Sequence, residues 1–264
     1  MKWPLLHITI SAKELCQALV RELLGSCLLI VMGCGSVLAA QFGNPQTFNI
    51  TGASLCWGIT VATLALSLQC HMNPAVTIAL ASIGQISIPT GALYIVTQCA
   101  GTTLGAQILV GLTPKNFTWA LGATQLNSVS QLQGFGMEII STFLLLLVIS
   151  GANDKTRNAQ QGSAPLAIGL CVTALILFCG PFTGASMNPA RSFGPSLITG
   201  NWKNHWLYWA GPIIGAVAGV VCYHFLFQSS EKSDIRQEEI IKTGNNDQNK
   251  KMQSIGGENN PSFA

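Results

Sequence analysis

The triplet Asn-Pro-Ala occurs twice, at Asn73-Pro74-Ala75 and Asn188-Pro189-Ala190, each inside an apolar stretch where an exposed amide is costly. Asn is a good helix N-cap and Pro suits the first helical turn, so each triplet marks the start of a helix. The segments 73–82 and 188–198 are too short to cross a bilayer, which takes about 20 helical residues. They read as re-entrant half-helices, allowed at membrane depth only where protein encloses them or a water-filled cavity lies beside them. Each half-helix N-terminus carries roughly +0.5 elementary charge. Two such ends meeting at the midplane repel cations and protons. Each Asn can cap its helix through the side-chain oxygen and turn its NH₂ toward a passing water or hydroxyl oxygen.

Three ionisable residues belong with the triplets. Arg191 follows Ala190 directly, and a role lining a pore, excluding cations and donating hydrogen bonds, is expected for it; a structural ion pair is the alternative. Glu22 and Glu138 are carboxylates within apolar runs, expensive unless partnered, and so expected to face the interior. There they would accept hydrogen bonds from backbone N–H groups of the non-helical loops before the half-helices. Neutralising Arg21, sitting near an interface, or relaying protons are the competing roles.

The elements that must position these groups follow from composition. The chain has 264 residues, 49% hydrophobic and 9% charged, against about 25% charged in soluble domains. Runs long enough to span lie near 14–40, 50–69, 88–112, 133–151, 164–181 and 205–227. The expected fold is therefore an all-α membrane protein with six transmembrane helices and two re-entrant half-helices. The first run carries Glu14, Arg21 and Glu22 and outlasts a signal-peptide core, so it is retained.

Most basic residues, among them Lys2, Lys13, Arg21, Lys155, Arg157, Lys232 and Arg236, fall on the side holding both termini, with only Lys115 and Lys203 opposite. The positive-inside rule then puts both termini in the cytoplasm. Asn49-Ile50-Thr51 and Asn116-Phe117-Thr118 are glycosylation sequons in loops this topology places outside. The nine cysteines lie almost wholly in the spans without metal-ligand spacing and act as small hydrophobes.

An internal repeat ties these elements together. Glu22-Leu23-Leu24-Gly25-Ser26 resembles Glu138-Ile139-Ile140-Ser141-Thr142, and each glutamate precedes its Asn by a closely matched distance. Small-residue faces follow both triplets, at Gly101–Gly105 and Gly211–Gly215, and let helices approach closely. Three spans per copy mean opposite insertion, the inverted-repeat plan with a shared site near the midplane. The expected organisation is a cytoplasmic segment 1–13, a first repeat 14–112, a connecting loop 113–132, a second repeat 133–227 and a polar disordered tail 228–264.

The segments His71-Met72-Asn73-Pro74-Ala75-Val76-Thr77 and Ser186-Met187-Asn188-Pro189-Ala190-Arg191-Ser192-Phe193-Gly194-Pro195, with the paired glutamates, resemble the aquaporin (major intrinsic protein) family over roughly residues 12–227. The resemblance implies a right-handed helix bundle, one pore per subunit, a homotetramer, and passage of water and small neutral solutes across a lipid bilayer. It places a narrow filter at Trp57, Ile176, Ala185 and Arg191, and a pore-lining histidine at His71, a residue type that titrates near neutral pH.

Strict water channels of the family usually hold Phe, His, a small residue and Arg at the filter. Ile176 in place of the histidine leaves an apolar face beside one donor, resembling the filters of nodulin-like intrinsic proteins and insect entomoglyceroporins. That implies glycerol or urea permeation beside water. Ser192 and Tyr208-Trp209 depart from the usual aquaglyceroporin pattern, which keeps a strict water channel as the alternative. The loop Ser67-Leu68-Gln69-Cys70-His71 also lacks the family's glycines and is shorter than usual.

Other classes find less support. A secondary transporter needs more midplane carboxylates than Glu22 and Glu138, and a junctional membrane protein is a further alternative. His7, His71, His205 and His224 are scattered, with no nucleophile and base set, no metal or cofactor site, and no basic patch for nucleic acid at a net charge of +3. The expected location is the plasma membrane, as a multi-pass protein.

Overall fold

The computed structural model describes residues 11–43, 49–114, 121–154 and 163–228. Its helices are α1 (Ala12–Gly43), α2 (Ile50–Leu68), α3 (Pro74–Ser82), α4 (Ile88–Leu112), α5 (Gln131–Ala152), α6 (Ala164–Thr183), α7 (Pro189–Thr199) and α8 (Leu207–Leu226). Six of them are long and apolar enough to span a membrane, and α3 and α7 are the short ones. The described residues form an all-helical membrane bundle, as the sequence leads one to expect.

Local chemistry explains most of the boundaries. The side chains of Asn49, Ser87, Ser130 and Ser163 accept a backbone N–H in the first turn of α2, α4, α5 and α6. Ser130 and Gln133 complete a capping box. Pro195 lies inside α7, which continues to Thr199, so it does not end that helix as its type suggests. Large apolar side chains such as Met32, Ile59, Leu66, Ile140, Leu170 and Ile214 are exposed around the bundle, the pattern expected where the solvent is lipid.

The repeat is visible in the packing. α1 packs on α4 as α5 packs on α8, and α2 meets α6 between the halves. The half-helices exchange partners, α3 lying against α8 and α7 against α4. Gly101 and Gly105 sit on the carbonyls of Leu23 and Cys27, while Gly215 and Gly219 sit on those of Ile139 and Phe143. These carbonyls occupy matching places after Glu22 and Glu138, so the glycine pair equivalent to Gly101–Gly105 is Gly215–Gly219. The Gly211–Gly215 pairing read from the sequence is one turn out of register. Gly211 has a different task, fitting against Cβ of Glu138.

Gly58 of α2 and Gly169 of α6 face each other, and a Cβ on either would run into the other's backbone carbonyl. This crossing joins the two repeats. Asn49 is exposed but caps α2 at the edge of the span, where its Oδ1 accepts from Gly52 N at 3.1 Å. Asn116 and the tail beyond residue 228 lie outside the described residues. Gly58→Ala is expected to cost about 1–3 kcal/mol through overpacking, read as a lowered unfolding temperature in detergent. An unchanged transition would show that the crossing has slack.

Candidate functional site

α2 and α6 each end before a five-residue loop, 69–73 and 184–188, that leads into a half-helix. Gly184 turns the second loop with φ 80°, and Gln69 takes the equivalent left-handed place with φ 51°. The first loop therefore matches the second in length without the glycine. Met72 (φ 54°) and Met187 (φ 49°) repeat the left-handed geometry just before each Asn, as does Ala185 (φ 49°). Such conformations cost side-chain-bearing residues about 1–2 kcal/mol each and persist only where surroundings enforce them.

The enforcement comes from the two glutamates. Glu22 Oε1 accepts from His71 N at 2.7 Å and Oε2 from Met72 N at 2.8 Å. Glu138 Oε1 accepts from Ser186 N at 2.9 Å and Oε2 from Met187 N at 2.7 Å. Each carboxylate has one further buried donor: Gln98 Nε2 at 2.8 Å from Glu22, and Thr183 Oγ1 at 2.7 Å from Glu138. Arg21 is exposed, so Glu22 serves the loop and not its sequence neighbour. Sequence reasoning missed Gln98 and Thr183. Their signal was a polar side chain within an apolar span, which resembles many harmless residues.

The loops bring the half-helix tips together. Asn73 Oδ1 accepts from Ala75 N at 2.8 Å, and Asn188 Oδ1 accepts from Ala190 N at 3.0 Å and Arg191 N at 3.2 Å. Asn73 Nδ2 donates to Met187 O at 2.8 Å and Asn188 Nδ2 to Met72 O at 2.7 Å. Each amide thus commits one hydrogen to the opposite repeat and has a second to offer, since an amide NH₂ carries two donors. That corrects the simpler expectation of an NH₂ wholly given to the lumen.

A cavity of about 500 Å³ runs past these tips, from Asn153 and Pro165 at one end to Arg191 at the other. Trp57, His71, Asn73, Ile176, Ala185, Asn188 and Arg191 all line it, together with apolar side chains including Val61, Val76, Leu145 and Val172. Pro74, Ala75, Pro189 and Ala190 are buried and absent from the lining. Their part is to start the helices and pack them, so only the asparagines of the triplets face the lumen. Glu22 and Glu138 also lie behind the loops. His71 Nδ1 is 3.1 Å from Thr77 Oγ1, and its ring meets Tyr94 edge-on at 5.4 Å.

Arg191 is 4% exposed, yet its hydrogen-bond partners are neutral. Nη1 donates to Gly122 O at 2.8 Å and Nη2 to Gly184 O at 3.3 Å, with Cys34 Sγ at 3.7 Å from Nη1. Its Cζ stands 4.8 Å from the Trp57 ring centroid. Carbonyls orient the guanidinium without cancelling its charge, which leaves a fixed cation at that end of the cavity. Ser192, Ser186 and Thr124 share a buried hydroxyl chain beside it. Among the described residues no group of three or more His, Cys, Asp or Glu is placed to hold a metal ion.

Six spans, two half-helices capped tip to tip and a cavity through the join define a multi-pass membrane channel. A family model described as "Major intrinsic protein" matches residues 9–223, and the chain belongs to that family, the aquaporins, whose members are channels and not enzymes. It is 40% identical to Aquaporin-4 of Notomys alexis over 222 residues, covering 80% of this chain and 67% of that protein. Human Aquaporin-1 is 40% identical over 229 residues, covering 83% of this chain and 85% of that one. The fold is similar to the X-ray structure of the aquaglyceroporin from Plasmodium falciparum, with a TM-score of 0.73, 24% identity, and coverage of 80% of this chain and 96% of that one.

Glu138→Ala would leave the N–H groups of Ser186 and Met187 buried without an acceptor, at about 1–3 kcal/mol each. A lower unfolding temperature in detergent and a large loss of osmotic water flux in vesicles are expected. Glu138→Gln, which keeps one carbonyl oxygen, should fall between. Wild-type flux in Glu138→Ala would contradict the role assigned to the carboxylate.

Proposed function

We propose that this chain is a passive channel for water and small uncharged solutes, glycerol and urea among them, that excludes protons and ions. The observation that carries the reading is the wall at the Arg191 end, where Trp57 and Ile176 present apolar surface to the same cavity as the guanidinium. A solute with a carbon skeleton and hydroxyls matches such a wall: its CH groups lie on the indole and isoleucine, and its oxygens accept from Arg191. Ala185 contributes only a methyl group there and leaves room. In this reading Trp57, Ile176, Ala185 and Arg191 form the filter, and Asn73 and Asn188 orient the permeant at the centre.

The electrostatics support exclusion of charge. Two half-helix N-termini face the same region, each worth roughly +0.5 elementary charge, and Arg191 adds a full one. A water oxygen accepting from both asparagines turns its hydrogens away from each, which interrupts a relay of protons. The buried hydroxyl chain at Ser192 favours a second reading, a strict water channel, because no carboxylate stands at that position.

The same reading places both termini in the cytoplasm, since exposed Lys13 and Arg21 lie on the terminal side and Lys203 on the other. It keeps the two-repeat organisation and the plasma membrane as location. The family resemblance supports assembly as a homotetramer. Asn116 is the better glycosylation candidate, because Asn49 is engaged as a helix cap at the membrane edge. Swelling of vesicles containing the purified chain, under water, glycerol and urea gradients in parallel, tests the solute reading. Ile176→His should lower the glycerol-to-water ratio severalfold, and an unchanged ratio would show that Ile176 does not set selectivity.

A further inference from the structure

Gly33 of α1 is packed against the indole of Trp57. A Cβ built at Gly33 would lie 2.5 Å from each of the Trp57 atoms Cδ2, Cε2 and Cζ2. These are consecutive atoms of the six-membered ring, so equal distances put the missing methyl over the face of that ring and not at its edge. Ordinary carbon contacts are about 3.5–4.0 Å. Any side chain at position 33 would therefore drive the ring away from α1 by about 1 Å or more.

The ring is 6% exposed, and the space it borders is the cavity. Movement away from α1 carries it toward the lumen. The next residue along α1, Cys34, touches the other wall, with its Sγ 3.7 Å from Arg191 Nη1. One step of α1 thus backs both the aromatic and the cationic side of the proposed filter, although neither residue lines the cavity.

We propose that Gly33 is a positioning residue for selectivity: by lacking a side chain it seats the Trp57 indole back against α1 and so sets the width of the channel at Arg191. The inference rests on the filter reading given above. Gly25 and Gly35 of the same helix do not do this, and an added Cβ at Gly25 would meet Cys70 and Met72. Gly35, two residues on, has only Leu109 Cδ2 within reach of an added Cβ, at 3.3 Å. A methyl group at position 57 carries none of the ring atoms that face Gly33, so the proposal also fixes which second change relieves the first.

The test is stopped-flow swelling of vesicles holding the full chain, with water and glycerol measured on wild type, Gly33→Ala, Trp57→Ala, the double variant and Gly35→Ala. Gly33→Ala is expected to reduce water flux by about an order of magnitude and glycerol flux by more, so that the glycerol-to-water ratio also falls. The double variant should conduct like Trp57→Ala alone, and Gly35→Ala like wild type. The proposal is overturned if Gly33→Ala conducts both solutes normally. It is equally overturned if Gly33→Ala impairs folding or flux as much in the Trp57→Ala background as in the native one, since the added methyl then clashes with something other than the indole. If wild type passes water but no glycerol, the solute reading fails while the water data on the variants still decide the role of Gly33.

Discussion

A backbone that leaves the helix inside a membrane must find acceptors for its N–H groups within the protein, because lipid supplies none. Here that demand falls on residues 71–72 and 186–187, and Glu22 and Glu138 meet it with two oxygens each. A carboxylate suits the task better than a neutral acceptor, since charge-assisted bonds are roughly twice as strong. The desolvation of each carboxylate is offset by the donors gathered on it, including Gln98 and Thr183. Left-handed backbone at Met72 and Met187, the placing of both asparagines and the approach of the half-helix tips all depend on these two groups.

The same economy recurs around the pore. Arg191 is oriented by the carbonyls of Gly122 and Gly184, not by an acid, so it remains a net charge. Asn73 and Asn188 each bind across to the opposite repeat, which makes every half-helix tip a brace for the other. The glycine contacts of α4 and α8 on α1 and α5 bring backbones close enough to hold the frame. Fold and function are thus built from one set of contacts, and the cavity is what remains between them.

Much of this was legible beforehand because it rests on rare residues in costly places. An amide, a proline, a carboxylate or an arginine in an apolar run demands a reason, and the repeat supplied the same reason twice. Trp57, Ile176 and Ala185 were placed by resemblance, and the structure gathers them with Arg191 on one cavity. What sequence could not give was register and contact. The α8 glycines that match Gly101 and Gly105 are Gly215 and Gly219, a difference of one helical turn that only packing reveals. Gln69 takes, with a side chain, the left-handed turn that Gly184 takes in the second loop, which the missing glycines of the first loop do not announce. Gly33 carries no pattern of its own, since its importance lies in the ring above it.

The central claim is that two positive half-helix tips meet at one aqueous path, so that water crosses and protons do not. Vesicles containing the full chain, loaded with an internal pH dye and held at a fixed membrane potential, report proton leak and osmotic water flux on the same preparation. The account predicts water flux well above that of empty vesicles with a proton leak equal to theirs. A leak that rises in proportion to the amount of protein incorporated would contradict it.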